Sequence, residues 1–215
     1  MKSKLIPLFL IAFLIGSSNS LYAGKKNFFE GFVITSMGDT LKGQIQYVNP
    51  VYNELKVKFR SEEGKRTTFK PKDLVEYAFL FPEYDKGKKT KNTSWVHYYR
   101  KRVNVSPVER IKKIETLFLQ RITKGDIALY NYYSLKTNKI HSRNYKQEYF
   151  VEQMTPDGFD LVHIGRANFK EISKELLVMN PRLSEKLGTY GYGYKYFVKV
   201  VKLHNRMMNG EKVGI

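Results

Sequence analysis

From residue 30 onward the chain alternates apolar and polar side chains in short runs, and this period of two predicts strands. Over 41–48, Leu41, Ile45 and Tyr47 share one side, while Lys42, Gln44 and Gln46 share the other. A partner strand over 32–35 completes a hairpin around Ser36-Met37-Gly38-Asp39, where Gly38-Asp39 supplies turn residues. Leu55, Val57 and Phe59 alternate with Lys56, Lys58 and Arg60, predicting a strand over 55–60. A turn containing Gly64 leads back through 66–70, and Pro71-Lys72-Asp73 separates that strand from the next, over 75–81. Residues 82–93 read as a polar, lysine-rich loop, and residues 95–103 as a strand with His97 and Tyr99 on one side and Val96 and Tyr98 on the other. Residues 103–114 read as a linker around Pro107 or a short helical turn. Lys124-Gly125-Asp126 then joins strands over 116–122 and 127–135. Two last strands, 148–153 and 159–164, flank Thr155-Pro156-Asp157-Gly158.

After Gly165 the period lengthens. Phe169, Ile172 and Leu176 recur at helical spacing within 168–179. Asn180 with Pro181 marks the start of a short helix to about Leu187, closed by Gly188. Phe197, Val198, Val201 and Met208 form the stripe of a third helix over 194–208. The predicted class is α+β: an antiparallel sheet, closed as a barrel or sandwich, followed by a C-terminal three-helix segment. Domain limits follow as 1–23 for a leader, 24–165 for the β-rich domain, and 166–215 for a helical segment packed on the sheet.

The leader has the layout of a secretory signal peptide. Lys2 and Lys4 precede an apolar run over 5–16, and a short polar stretch ends at Ala23. Ser20 is a second cleavage position. An exported protein in the periplasm or outside the cell is expected, with no transmembrane segment after cleavage, since no later run approaches the roughly 20 apolar residues a spanning helix needs. The chain has no cysteine, which excludes disulfides, thiolate metal sites and lipidation at a cleavage-site cysteine. Its net charge is +18. Residues 24–110 and 111–215 each hold 18 Lys/Arg and 10 Asp/Glu, so the charge is spread evenly. Such a surface attracts polyanions.

The order of several short motifs resembles an uncharacterised family of exported proteins from Bacteroidota. The likeness rests on Gly38-Asp39-Thr40-Leu41-Lys42-Gly43, then on Phe69 to Leu74, and on Thr116 to Gln120 with Gly125 and Leu129-Tyr130. Tyr149 to Glu152 and the closing helix with Lys202 to Asn205 complete it. The resemblance implies an envelope or secreted location and supplies no activity. Asp39-Thr40-Leu41 also resembles the short O-glycosylation signal of such proteins.

Candidate chemistry is sparse. The four histidines (His97, His141, His163, His204) match no metal spacing, so no metal or cofactor is assigned. No nucleophile motif of the Gly-x-Ser-x-Gly kind occurs, and no catalytic residue is assigned. Asp39 and Asp73 read as turn residues whose carboxylates accept backbone N–H groups. Two aromatic-basic stretches are candidate binding platforms: Tyr98, Tyr99, Arg100 and Arg102, and the alternating Tyr190, Tyr192 and Tyr194; the other reading is strand tyrosines covering a core and a glycine-flexed entry that packs the last helix onto the sheet. Lys86, Lys88, Lys89 and Lys91 form a candidate anion contact. The expected function is a non-enzymatic envelope protein that binds an anionic glycan, a lipid surface or a partner protein through its basic surface. The alternative is a secreted hydrolase of a phosphorylated or glycan substrate. Nucleic acid is disfavoured by export and by the even charge.

Overall fold

A computed structural model describes residues 27–85, 88–105, 113–135, 145–155, 158–211 and 213. The leader, Lys86, residues 106–112, His141 and Pro156-Asp157 lie outside them. The elements run β1 (Phe28–Thr35), β2 (Thr40–Gln46), α1 (Pro50–Leu55), β3 (Val57–Ser61), β4 (Arg66–Phe69), β5 (Leu74–Asp85) and β6 (Lys88–Val105). They continue with β7 (Lys113–Thr123), β8 (Leu129–Leu135), β9 (Tyr145–Thr155) and β10 (Gly158–Ile164). The helical segment holds α2 (Phe169–Leu176), α3 (Pro181–Glu185), a 3-10 turn (Tyr194–Tyr196) and α4 (Phe197–Met208).

All ten strands belong to one antiparallel sheet in the order β10-β9-β8-β7-β6-β5-β1-β2-β3-β4. The expected barrel is not formed: the sheet keeps two edges, β10 and β4. The described strands form one sheet, not two separate ones. The chain meanders through β1–β4, and β5 then returns to pair with β1, which leaves β4 at an edge.

Three local expectations change. Leu55 is not a strand residue. Asn49 caps α1, its Oδ1 accepting from the Tyr52 N–H at 2.8 Å with Pro50 in the first turn, so the strand begins only at Val57. The lysine-rich stretch is a strand hairpin, with Tyr84 opposite Lys89 and Asp85 opposite Lys88. Pro82 sits beside the register shift that this hairpin needs. At the first hairpin the Thr35 hydroxyl accepts from the Met37 and Asp39 N–H groups, so Asp39 is held by Thr35. Asp73 does act as expected, its carboxylate accepting from the Lys70 N–H at 2.8 Å.

In the β1–β6 half, one face carries the core. Val33, Ile45, Val57, Phe59, Tyr77, Phe79 and Tyr98 are all buried there. α1 lies against this face, where the Tyr77 hydroxyl donates to the Asn53 carbonyl at 2.8 Å. The opposite face presents Glu30, Phe32, Lys42, Gln44, Lys58 and Arg60. In the β7–β10 half, both faces are apolar. Leu117, Leu119, Tyr130 and Phe150 cluster with Val103 on one side. On the other, Leu129, Tyr149, Val151 and Ile164 share a core with Phe169, Leu183, Phe197 and Val201 of the helices.

α4 is pinned to the β7–β8 connection by polar contacts. Asn205 accepts from the Ile127 N–H at 2.8 Å and donates to the Ile127 carbonyl at 2.9 Å. His204, fully buried, places Nε2 2.8 Å from an Asp126 oxygen. α3 starts as its sequence implies, Asn180 accepting from the Leu183 N–H, and Gly188 follows it with φ of 89°. Among the described residues no helix is long and apolar enough to cross a membrane.

Candidate ligand-binding cleft

Alternation fixes which side chains reach the open face. Gln44 lies opposite both Glu30 and Arg60, and Phe32 lies opposite Lys42 and Ala78. Ala78 in turn lies opposite His97. Ala78 has a small side chain, so residues on β6 can lean across β5 toward β1. Trp95 does so: its ring centroid is 5.6 Å from that of Phe32, at 49°. The result is a cleft of about 930 Å³ lined by Glu30, Phe32, Lys42, Gln44, Arg60 and Trp95, among others.

Arg60 is held in place on two sides. Gln44 Oε1 accepts from its Nε at 2.9 Å and also from Nη2. Phe28 packs under the guanidinium, 4.5 Å from ring centroid to Cζ. The remaining guanidinium N–H groups and the Gln44 amide stay available to a ligand oxygen. Trp95, 47% exposed, offers a ring face beside them. Such a site can stack a ring and bind a carboxylate or phosphate oxygen with an arginine already oriented for it.

An aromatic strip continues from the cleft along β6. His97 lies 6.2 Å from Trp95 and 6.2 Å from Tyr99, nearly parallel to the latter. Its Nδ1 is 2.7 Å from Glu76 Oε1, a hydrogen bond that fixes the ring on the strand. Arg121 sits 4.3 Å over the Tyr99 ring, and Lys101 sits 4.9 Å over Tyr130 while paired with Glu152. Burial raises the Tyr99 phenol above its usual range; Glu76 adds to this and Arg121 opposes it. The phenol is therefore neutral at ordinary pH.

The residues singled out from sequence fall in several places. Tyr98 is 2% exposed and stacks on Tyr77 at 4.7 Å, so its ring belongs to the core. Tyr99 is on the open strip. Arg100 donates to the Ser36 hydroxyl at 3.1 Å, and Arg102 is exposed. Lys88, Lys89 and Lys91 are exposed on the β5–β6 hairpin, while Lys86 lies outside the described residues. Tyr190, Tyr192 and Tyr194 make no common platform. Tyr190 is 96% exposed, Tyr192 has Lys186 over its ring, and Tyr194 packs against Tyr149 and Phe169. Burial pushes the Tyr194 phenol up to about 12. Phe28, Phe32, Gln44 and Arg60 were not singled out. Phe28 and Phe32, which share the alternation of Glu30 on β1, were the available signal.

A separate polar cluster sits on β8–β10. Glu148 is near Lys146 at 2.5 Å, His163 at 3.6 Å and the Ser134 hydroxyl at 3.3 Å. His163, followed by Lys146, holds the Glu148 carboxyl down to about 2, against the opposing effect of burial. A depressed folded pKa means stability that is present above the unfolded value of about 4.3 and is lost as pH falls toward 2. Glu148→Gln should therefore lower stability at pH 7 by about 1–2 kcal/mol and flatten the loss between pH 4 and 2. Urea midpoints at pH 7 and pH 3 check this; an unchanged acid slope would refute it.

Among the described residues no group of three or more His, Asp or Glu is placed to hold a metal ion. Comparisons of the chain with protein-family models, curated proteins and solved structures return no match.

Proposed function

We propose that the chain is an exported, non-enzymatic envelope protein that binds an anionic glycan on the open face of its sheet. One observation carries the reading: the Trp95–Phe32 pair stands beside an oriented Arg60 and an exposed Lys42 in a single cleft of about 930 Å³. The ring pair steadies the sheet by itself, and standing open beside two cations it also offers a sugar ring a stacking surface and its acid group a partner. The net charge of +18 draws anionic polymers to the surface, with Lys88, Lys89, Lys91, Tyr99 and Arg102 as outlying contacts. The leader-like residues 1–23 support export, as does the motif order that resembles an exported Bacteroidota family.

Trp95 is the only tryptophan, so its emission reports on the cleft alone. Titration with an acidic glycan at 20 mM salt should change that emission saturably and weaken as salt rises. Trp95→Ala should cost at least about tenfold in affinity, on the order of 1.4 kcal/mol. Salt-sensitive binding without any emission change would place the ligand elsewhere. Steady release of new reducing ends during the titration would replace this reading with the hydrolase.

A further inference from the structure

We propose that the ligand is an acidic oligosaccharide lying across the strands, with uncharged rings on Trp95 and Phe32 and acid groups at Lys58, Arg60 and Arg66. This rests on the cleft being a ligand site and adds direction, length and charge pattern to it.

The register supplies the track. Arg66 lies opposite Arg60, Arg60 opposite Gln44, and Gln44 opposite Glu30, forming one transverse row over β4, β3, β2 and β1. Beside it runs a second row of Thr68, Lys58, Gln46 and Phe28. A second groove of about 230 Å³ includes Phe28, Gln46, Lys58, Arg66 and Thr68. Arg60 lines the first groove and stacks on Phe28 of the second, so the two are joined at that contact.

Charge divides the track into two ends. The first cleft holds Glu30 and Glu62 against Lys42 and Arg60, an even balance. The second holds Lys58 and Arg66 and no acid. Neither cation has an ion-pair partner among the described residues, although Lys58 lies over the Tyr52 ring. An acid group is therefore favoured at the β3–β4 end, and an uncharged ring at the Trp95 end. A nucleic acid carries charge at every unit and would meet Glu30 and Glu62 with repulsion. A glycan with spaced acids avoids them.

Length follows from strand spacing. From Trp95 on β6 to Arg66 on β4 there are five strand steps of about 4.8 Å, roughly 24 Å in all. A disaccharide cannot reach both ends.

The test uses the full chain and hyaluronan fragments of two, four and six sugars, in which acidic and uncharged rings alternate. Trp95 emission should respond to all three, and affinity should rise about tenfold or more from two sugars to six. Lys58→Gln with Arg66→Gln should remove that gain and leave the thermal midpoint unchanged. Length-independent affinity with a normal Trp95 response would overturn this inference and leave the cleft reading standing. Equal affinity for an uncharged hexasaccharide would overturn the charge pattern. Tighter binding of oligothymidylate or phosphatidylglycerol vesicles would overturn the ligand class. No Trp95 response to any fragment would overturn both readings.

Discussion

Gly43→Ala is expected to destabilise the protein by roughly 3 kcal/mol or more and to leave little soluble folded material. A Cβ at Gly43 would stand 2.3 Å from the Arg60 carbonyl oxygen and 2.7 Å from the Phe59 ring. Its cross-strand partner Gly31 is as tight, with a Cβ there only 2.2 Å from the Ala78 carbonyl oxygen. The obstacle at both positions is backbone of the next strand, which a rotamer change cannot move. The two glycines thus let β1 approach β5 and let β2 approach β3, and those approaches set the floor of the cleft. Gly64→Ala is the control. Nothing lies within 4 Å of its Cβ, and its φ of 86° alone costs about 1 kcal/mol. Circular dichroism and thermal midpoints check both; a native midpoint for Gly43→Ala would show that the strands can separate to admit the methyl.

Much of the strand plan was legible because it depends on neighbours in sequence. Gly38-Asp39, Gly64 and Lys124-Gly125-Asp126 each mark a connection between strands that pair in the fold. The Asn180-Pro181 signal for a helix start also held, since a cap needs only four residues. The same Asn-Pro pair at 49–50 is hidden by its context, because Leu55 extends the alternation of Val57 and Phe59 by one step. Alternation also separates Tyr98 from Tyr99 without saying which side is the core. That is decided by Tyr77 and α1, which the fold brings from elsewhere. The cleft was the least legible part. Phe32, Arg60 and Trp95 come together only because β5 returns to β1, and nothing local to those residues announces that return. Closure was equally hidden, since a barrel strand and an open-sheet strand share one pattern.

A second large effect is expected at Glu54, which is 3% exposed on α1. Its Oε1 accepts from the Tyr133 N–H of β8 at 2.8 Å, tying the helix to the far half of the sheet. Burial pushes its carboxyl well above the usual carboxylate range, and the Tyr133 N–H only partly offsets this. A raised folded pKa means that this acid's contribution to stability is fully present below the unfolded value of about 4.3 and is lost as pH rises through the folded pKa. The surrounding phenols do not share that window: burial holds Tyr47 and Tyr132 up to about 12 and moves Tyr77, Tyr98 and Tyr133 upward as well. Glu54→Gln keeps an acceptor for Tyr133 and removes the charge, so its urea midpoint should stay flat where the parent's falls with rising pH, and should exceed the parent's at pH 9. Glu54→Lys places an unpaired cation in the same site and should cost about 3–5 kcal/mol. Midpoints for the three proteins from pH 4 to pH 9 decide it. A parent curve parallel to that of Glu54→Gln would mean that Glu54 does not titrate in this window, and that α1 is held by packing and the Tyr133 bond alone.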